Sequence, residues 1–167
     1  MTLTAEQVKA AEARVCIPEA DSCWLLWRVK VATIERLWKQ MAHLYFAEGT
    51  ERDNGMKEAF CDYVLNTSKP ITPPYVFFQT GPRSGAEFYD GCHRFAVIRE
   101  SGAKDMLIGC EWGRARKGFE LGVKLEPICD RAKAFVADRK AGIACHNKLL
   151  AKRAKLLDKK RAKGNTP

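Results

Sequence analysis

The chain is poor in the residue patterns that build metal sites and disulfide frameworks. It has three histidines in 167 residues, and its seven cysteines include no Cys-x-x-Cys pair. Zinc sites use such pairs or clustered histidines, so no zinc site is expected. An odd number of cysteines without an export signal also argues against a disulfide framework. Most of these thiols are expected to be buried as small apolar side chains.

Long apolar segments are also missing. No uncharged apolar run approaches the roughly 18 residues that span a bilayer. The first residues, Met1–Gln7, lack the basic patch and apolar stretch of a secretory signal. We therefore expect a cytoplasmic protein with no membrane span. The length suits one domain of modest core with an appended helix.

Positive charge is scarce in the first two thirds of the chain and concentrated after it. Residues 1–113 carry 13 Lys/Arg against 15 Asp/Glu, and residues 114–167 carry 16 against 5, within a net charge of +9. A basic tail on a near-neutral body favours a polyanionic partner, with nucleic acid first and an anionic membrane second. The alternative is a solvated charged helix.

The N-terminal third predicts three helices and a strand. The segment Thr4–Arg14 predicts a short helix, with Gln7 in capping-box position. Residues 23–32 are aromatic and β-branched and predict a strand, although a buried helix has a similar pattern. Apolar side chains at helical spacing predict a helix over Thr33–Gly49, capped by its first residue. A further helix is expected over Met56–Leu65.

The central segment predicts a β-hairpin followed by a helix and a strand. Pro73-Pro74 excludes a helix there and introduces a strand, and Gly81–Gly85 forms the hairpin turn. In order, the predicted elements are a strand at Tyr75–Gln79, a strand at Ala86–Tyr89, a helix at Arg94–Ser101 and a strand at Met106–Trp112. The pattern predicts an α/β fold with a small mixed sheet.

The C-terminal segment predicts one long basic helix from Asp130 to about Lys163, which Gly142 could break. Four apolar residues recur every seven positions along it: Val136, Ile143, Leu150 and Leu157. Such a stripe can dock on the parent domain or form a dimeric coiled coil, and both remain open. The expected division is an N-terminal helix (1–22), a core (23–126) and a basic helical extension (127–167).

The predicted strand–helix junction at Asp90-Gly91-Cys92-His93-Arg94 carries the chemistry. Gly91 permits a tight turn and a close approach of the backbone to a ligand. The amides that open the next helix direct N–H donors and a positive dipole end at the same place. Arg94 adds a planar fork that suits phosphate, and His93 can donate a hydrogen bond or move a proton. The junction is therefore interpreted as an anion site.

Three further side chains, in the junction or just before it, can take part in its chemistry. Cys92, at a helix N-terminus beside a histidine and an arginine, is expected to have an enlarged thiolate fraction. Glu87 and Asp90 supply carboxylates of the kind that bind Mg²⁺. Each residue alone has an ordinary structural role in a turn or helix cap. The functional interpretation depends on five adjacent residues serving one purpose.

The run Phe88-Tyr89-Asp90-Gly91-Cys92-His93-Arg94-Phe95-Ala96, preceded by Ile71-Thr72-Pro73-Pro74 and a hairpin, resembles the ParB/sulfiredoxin superfamily. Gly91–Arg94 match the Gly-Cys-His-Arg run of sulfiredoxins letter for letter. ParB-like nucleases carry Asp-Gly-x-His-Arg, which the same segment also satisfies from Asp90 onward. The resemblance covers roughly residues 23–112 and implies a ParB/sulfiredoxin-like core.

Membership within this superfamily decides the expected chemistry. A sulfiredoxin would repair cysteine sulfinic acid with ATP and use Cys92 as the essential thiol. The ATP-binding helix of sulfiredoxins carries a Lys, a Ser and a Thr on one face, whereas this chain offers Arg36 and Lys39 in a different pattern, and Asp90 replaces a glycine. The layout is more similar to the plasmid fertility-inhibition proteins of the Osa and FiwA type.

The resemblance to that group implies ATP binding and hydrolysis together with DNase activity. The biological effect would be to block DNA transfer by a competing conjugation or type IV secretion system, whose components would be partners. Two other classes stay open. One is a sulfiredoxin-like or kinase-like ATP-dependent phosphotransferase, and the other is a non-catalytic DNA-binding inhibitor.

In the nuclease interpretation, Glu87 and Asp90 would hold Mg²⁺ or another divalent cation, or orient water. His93 would act as general acid and base, while Arg94 and the Gly91–Cys92 amides would stabilise the transition state. DNA would be held through its backbone without sequence preference. The residues expected to hold it are Arg139, Lys140, Lys148, Lys152 and Lys155.

Overall fold

The computed structural model of the chain describes residues 2–18, 23–41 and 54–138, together with helical residues 144, 147, 148, 151, 154 and 155. The helices are α1 (Ala5–Ala11), α2 (Val31–Lys39), α3 (Asn54–Asn66), α4 (Cys92–Glu100), α5 (Trp112–Glu120) and α6 (Asp130–Ala137). The strands are β1 (Trp24–Lys30), β2 (Tyr75–Gln79), β3 (Gly85–Asp90), β4 (Asp105–Glu111) and β5 (Glu126–Pro127). A 3₁₀ turn, Glu12–Arg14, follows α1.

The strands form one mixed sheet in the order β3-β2-β4-β1-β5. The pairs β2–β3, β1–β4 and β1–β5 are antiparallel, whereas β2 and β4 are parallel. The predicted α/β class, mixed sheet and β2–β3 hairpin are confirmed. Among the described residues, no helix is both long and apolar enough to cross a membrane.

Strand β1 lies inside the sheet, between β4 and β5, and four of its first five residues are buried. That position explains its nearly continuous apolar sequence, which periodicity alone could not separate from a buried helix. Trp27 is fully buried, and its indole Nε1 donates to the Cys110 carbonyl at 3.1 Å. The strand prediction is confirmed.

Helix α1 begins with the predicted capping box. The Gln7 amide donates to Thr4 Oγ1 at 3.2 Å, and Gln7 Oε1 accepts from the Thr4 amide at 2.8 Å. The α-helix ends at Ala11, and the 3₁₀ turn completes the segment predicted as helical. Leu3 and Val8 are buried in the main apolar core, which fixes α1 against the sheet domain.

Helix α2 differs from its prediction at both ends. It begins at Val31 with Lys30 as N-cap, so Thr33 is not the cap. The first-turn amide of Val31 donates to the Lys104 carbonyl at 3.0 Å, so a neighbouring loop replaces the threonine. The helix ends at Lys39, and the remainder of the predicted Thr33–Gly49 helix beyond Met41 lies outside the described residues.

Two short elements after β4 were not predicted. Helix α5 follows β4 directly and buries Trp112, Ala115 and Gly118 at three-residue spacing. The stripe escapes a search for large apolar residues because two of its members are small. Strand β5 has two residues, too few for any period, yet it pairs with β1.

The predicted C-terminal helix is interrupted at Asp138, earlier than the possible break at Gly142, and residues 144, 147, 148, 151, 154 and 155 beyond it are again helical. Helix α6 ends at Ala137 because Asp138 is extended, with φ −134° and ψ 98°, so the helix does not continue from Asp130 to Gly142. The face that docks consists of Ala132 and Phe135, and Phe135 stacks on Trp112 at 5.2 Å. Val136, the first residue of the predicted stripe, is instead 50% exposed. The other stripe residues, Ile143, Leu150 and Leu157, lie outside the described residues.

Candidate functional site

The candidate site is the turn that joins edge strand β3 to helix α4. Gly91 occupies this turn with a left-handed φ of 87° and forms the N-cap of α4. A Cβ built on it would lie 2.8 Å from both Arg94 Nε and Pro74 Cα. Glycine is therefore required twice, by backbone conformation and by the close approach of its neighbours.

The Arg94 guanidinium is held over this glycine by two partners. Nη1 donates to the Thr72 carbonyl at 2.8 Å, and Nη2 forms an ion pair with the Asp90 carboxylate. The arginine side chain is 18% exposed and the aspartate 60%. The part-buried contact with the carbonyl fixes the guanidinium in place, while the Asp90 carboxylate remains exposed to solvent.

The first turn of α4 presents backbone donors beside this cation. In any α-helix the first N–H groups have no partner within the helix, and here Gly91 supplies no side-chain cap. Cys92 and His93 follow it and are both half-buried. The turn thus combines the positive end of a helix dipole, a fixed guanidinium and a titratable imidazole, an arrangement suited to an anion.

Glu87 lies apart from this group. It is on β3, and its carboxylate accepts a hydrogen bond from the Gln79 side chain across the hairpin. Among the described residues there is no group of three or more His, Cys, Asp or Glu that could hold a metal ion. Glu87 and Asp90 are each engaged by another side chain, and the metal site stays a prediction.

The segment Thr72–Pro74 forms the wall of the site beside Gly91, a role that was not predicted from the sequence. Thr72 supplies the carbonyl that holds Arg94, and Pro74 packs against Gly91. The Pro74 carbonyl accepts from the Gly109 amide at 2.9 Å, which ties the segment to β4. Pro73-Pro74 was the available signal, because a rigid extended pair suits a fixed wall.

The predicted DNA-binding lysines are described in part. Lys148 and Lys155 are helical and exposed, as backbone-contacting residues need to be. Arg139, Lys140 and Lys152 lie outside the described residues. No contact in the described part of the chain places the two exposed lysines near the β3–α4 turn.

Three of the other described thiols are more deeply buried than Cys92, which is half-buried. Cys23, Cys61 and Cys110 are buried, as expected for small apolar side chains. Burial raises the pKa of the Cys110 thiol well above its usual range, and burial is also the main cause of a raised pKa at Cys61. These two thiols are therefore poor nucleophiles. Cys16 is exposed and Cys129 half-buried.

Comparisons with protein-family models, with curated proteins and with solved structures find no match to this chain. The resemblance to the ParB/sulfiredoxin superfamily therefore rests on the residues around Asp90–Arg94 and remains a prediction. The geometry of the turn has to carry any functional argument.

Proposed function

We propose that this chain binds nucleotide and nucleic-acid phosphates at the β3–α4 turn and hydrolyses phosphate esters there, with ATP and DNA as substrates. The observation that carries the proposal is the fixed guanidinium of Arg94 over Gly91, directly beside the first-turn amides of α4. A planar fork and a row of N–H donors at one point suit the oxygens of a phosphate.

Binding requires an exchange at Arg94. The exposed Asp90 carboxylate is an anion that already occupies one edge of the guanidinium, so an incoming phosphate takes its place. The other edge stays bonded to the Thr72 carbonyl, and the fork keeps its orientation during the exchange. Preorganisation of this kind lowers the cost of reaching the transition state.

The chemistry assigned to the turn is hydrolysis. Water attacks phosphorus, the bond to the leaving oxygen breaks, and His93 takes the proton of the water or returns it to the leaving group. Arg94 and the amides of α4 stabilise the negative charge that develops on the equatorial oxygens. A divalent cation, when bound to the phosphates, would neutralise further charge.

The basic C-terminal segment is proposed to hold the DNA backbone. Twelve Lys/Arg between Arg131 and Lys163 face only Asp138 and Asp158. Contacts of this kind supply affinity without sequence preference. By its resemblance to plasmid fertility-inhibition proteins, the chain would use these activities to block DNA transfer by a competing conjugation or type IV secretion system.

One observation favours a second candidate, a non-catalytic nucleotide sensor that binds DNA. Both carboxylates expected at the site are engaged by neighbouring side chains, and the described residues hold no metal-binding group. In that case the Asp90–Arg94 pair would open and close with nucleotide while no phosphate ester is cleaved.

The test is to incubate purified protein with plasmid DNA and, separately, with ATP, each with and without Mg²⁺. Arg94→Ala is expected to lose both activities, because Arg94 is the cation fixed at the turn. Arg94→Lys should recover little, since an ammonium is a point charge without the fork. Loss of the Thr72 contact costs about 1–2 kcal/mol, so circular dichroism must show a folded variant.

Two results would count against this assignment. If a folded Arg94→Ala protein keeps near-normal activities, the site does not lie at the β3–α4 turn. ATP and DNA that stay intact with the wild-type protein, although both bind, would favour the non-catalytic sensor.

A further inference from the structure

An aromatic cluster lies on the strands next to the β3–α4 turn. Trp24 of β1 stacks on Tyr75 with ring centroids 4.3 Å apart, and on Phe77 at 5.3 Å with an interplanar angle of 4°. Tyr89 of β3 completes the group, with its ring 5.7 Å from Trp24 and 5.4 Å from Phe77. We call these four residues the aromatic platform.

The platform has a buried base and an open rim. Trp24 and Tyr75 are 2% and 4% exposed, whereas Tyr89 is 63% exposed, the most open of the large apolar side chains in the described residues. Phe77 is half-buried. Tyr89 belongs to β3, an edge strand of the sheet that the described residues form. Its ring is thus held against other rings on one side and open to solvent on the other.

Arg114 lies over one ring of the aromatic platform. The Arg114 guanidinium lies 4.9 Å from the centre of the Phe77 ring, within the range of a cation–π contact. It is carried by α5, the helix whose approach to the sheet Gly118 permits. The nearby carboxylates are engaged elsewhere: Glu87 accepts from Gln79, and Glu111 accepts from the Cys23 thiol at 3.3 Å.

We propose that the aromatic platform binds the bases of single-stranded nucleic acid, which stack on Tyr89 and the edge of Phe77 beside Arg114. Open aromatic rings next to a planar cation are the features by which proteins hold single strands without reading sequence. The cation at the platform that suits a negatively charged ligand is Arg114, which begins the basic part of the sequence.

The position of Tyr89 relates the platform to the phosphate turn. Three Cα steps of about 3.8 Å separate Tyr89 from Cys92, so the Cα atoms of these two residues lie at most ~11 Å apart. A nucleic-acid strand whose bases stack on Tyr89 would therefore direct its phosphates toward Arg94. This last point rests on the proposed function, whereas stacking does not require that any bond is cleaved.

The experiment measures binding of a single-stranded oligodeoxynucleotide that contains 2-aminopurine, in EDTA so that cleavage plays no part. The wild-type protein should quench the 2-aminopurine fluorescence on binding, because stacking on an aromatic ring quenches it. Tyr89→Ala should weaken binding roughly 5- to 100-fold and abolish the quenching, as expected for one lost base stack. Tyr89→Phe should retain both.

Two controls isolate the stacking interaction. Met56→Ala removes an equally open apolar side chain, 60% against 63% exposed, from a different part of the surface and should change nothing. An abasic oligonucleotide of the same length should bind Tyr89→Ala and the wild type equally, because only the backbone remains to be bound.

Unchanged affinity and quenching in folded Tyr89→Ala would overturn the inference, even if Arg94→Ala had lost phosphate hydrolysis. Equal losses on the abasic oligonucleotide would also overturn it, since the residue would then act through the backbone. A change in self-association of Tyr89→Ala without a change in DNA binding would assign the platform to a protein contact. If the wild-type protein stacks bases but hydrolyses neither ATP nor DNA, the inference stands and the proposed function is wrong.

Discussion

The Asp90 carboxylate sits where a ligand phosphate would have to bind Arg94, and this competition has a measurable consequence. An exposed ion pair of this kind contributes up to about 1 kcal/mol. Replacing Asp90 by Asn removes the negative charge while the side chain keeps a similar size. Asp90→Asn should therefore tighten binding of ATP in EDTA by up to about fivefold, measured by calorimetry.

The same variant separates two roles of Asp90. If the residue also orients water or a metal ion, hydrolysis in Mg²⁺ will fall while binding tightens. If it only competes with phosphate, hydrolysis at low ATP will rise. If Asp90→Asn binds ATP more weakly, the carboxylate helps to hold the ligand. The proposal that phosphate replaces Asp90 at Arg94 would then be wrong.

Cys92 allows the hydrolase and the thiol chemistries to be distinguished. In phosphate ester hydrolysis this position contributes its backbone amide, which any residue retains, whereas sulfinic-acid repair needs the thiol itself. Cys92→Ser is therefore expected to keep DNA cleavage within a few-fold of the wild type in a plasmid-nicking assay. Complete loss of activity in a folded Cys92→Ser protein would transfer the assignment to thiol chemistry. Cys110→Ser is no suitable control, because that side chain is fully buried.

Among the elements, α5 depends on a single glycine. A Cβ on Gly118 would lie 2.8 Å from the Phe78 ring, which is itself fully buried and unable to move aside. We expect Gly118→Ala to lower the free energy of unfolding by about 1–3 kcal/mol despite the better helix propensity of alanine. Urea denaturation followed by circular dichroism measures the change.

Gly113 in the same helix provides the matched control. No atom lies within 4 Å of a Cβ built there, so Gly113→Ala should gain up to about 1 kcal/mol from helix propensity alone. Equal effects of the two substitutions would mean that contact with Phe78 does not set the position of α5.

The elements that could be predicted from sequence are those with local signals. The capping box of α1, the hairpin of β2 and β3, and the Gly91 turn each depend on residues within a few positions of one another, and all were confirmed. Helix α5 and strand β5 depend on distant partners. Gly118 of α5 packs on Phe78, Trp112 stacks on Phe135, and β5 pairs with β1, and none of these contacts is local in the sequence.

The candidate site divides in the same way. The residues from Asp90 to Arg94 could be placed at one turn because they are adjacent in sequence. The Thr72 carbonyl that holds Arg94 is a backbone group 22 positions away, and residue type carries no information about it. Glu87 was assigned to the turn because it is near in sequence, but its hydrogen bond to Gln79 directs it across the hairpin.

At the scale of the whole molecule, the structure shows how the role of the basic tail has to be tested. Ala132 and Phe135 of α6 are buried in the main core, so truncation near Pro127 would remove core residues together with the charges. A loss of DNA binding after truncation would then have two explanations. Substitution of exposed tail lysines avoids this, because the core is unchanged.

Reversing the charges of Lys148 and Lys155, both exposed in the structure, should weaken DNA binding and make it less sensitive to salt. Each phosphate contact contributes about −0.9 to the slope of log K against log[salt], so the loss of two contacts should reduce that slope by roughly 1.8. Lys104→Glu with Lys124→Glu changes the net charge equally at two exposed positions on the body of the protein and serves as the control. ATP hydrolysis should not change in either double variant. If both double variants lower DNA affinity alike, the effect comes from net charge. If the tail variant leaves the affinity and the salt slope unchanged, the tail is a solvated surface and DNA is held elsewhere.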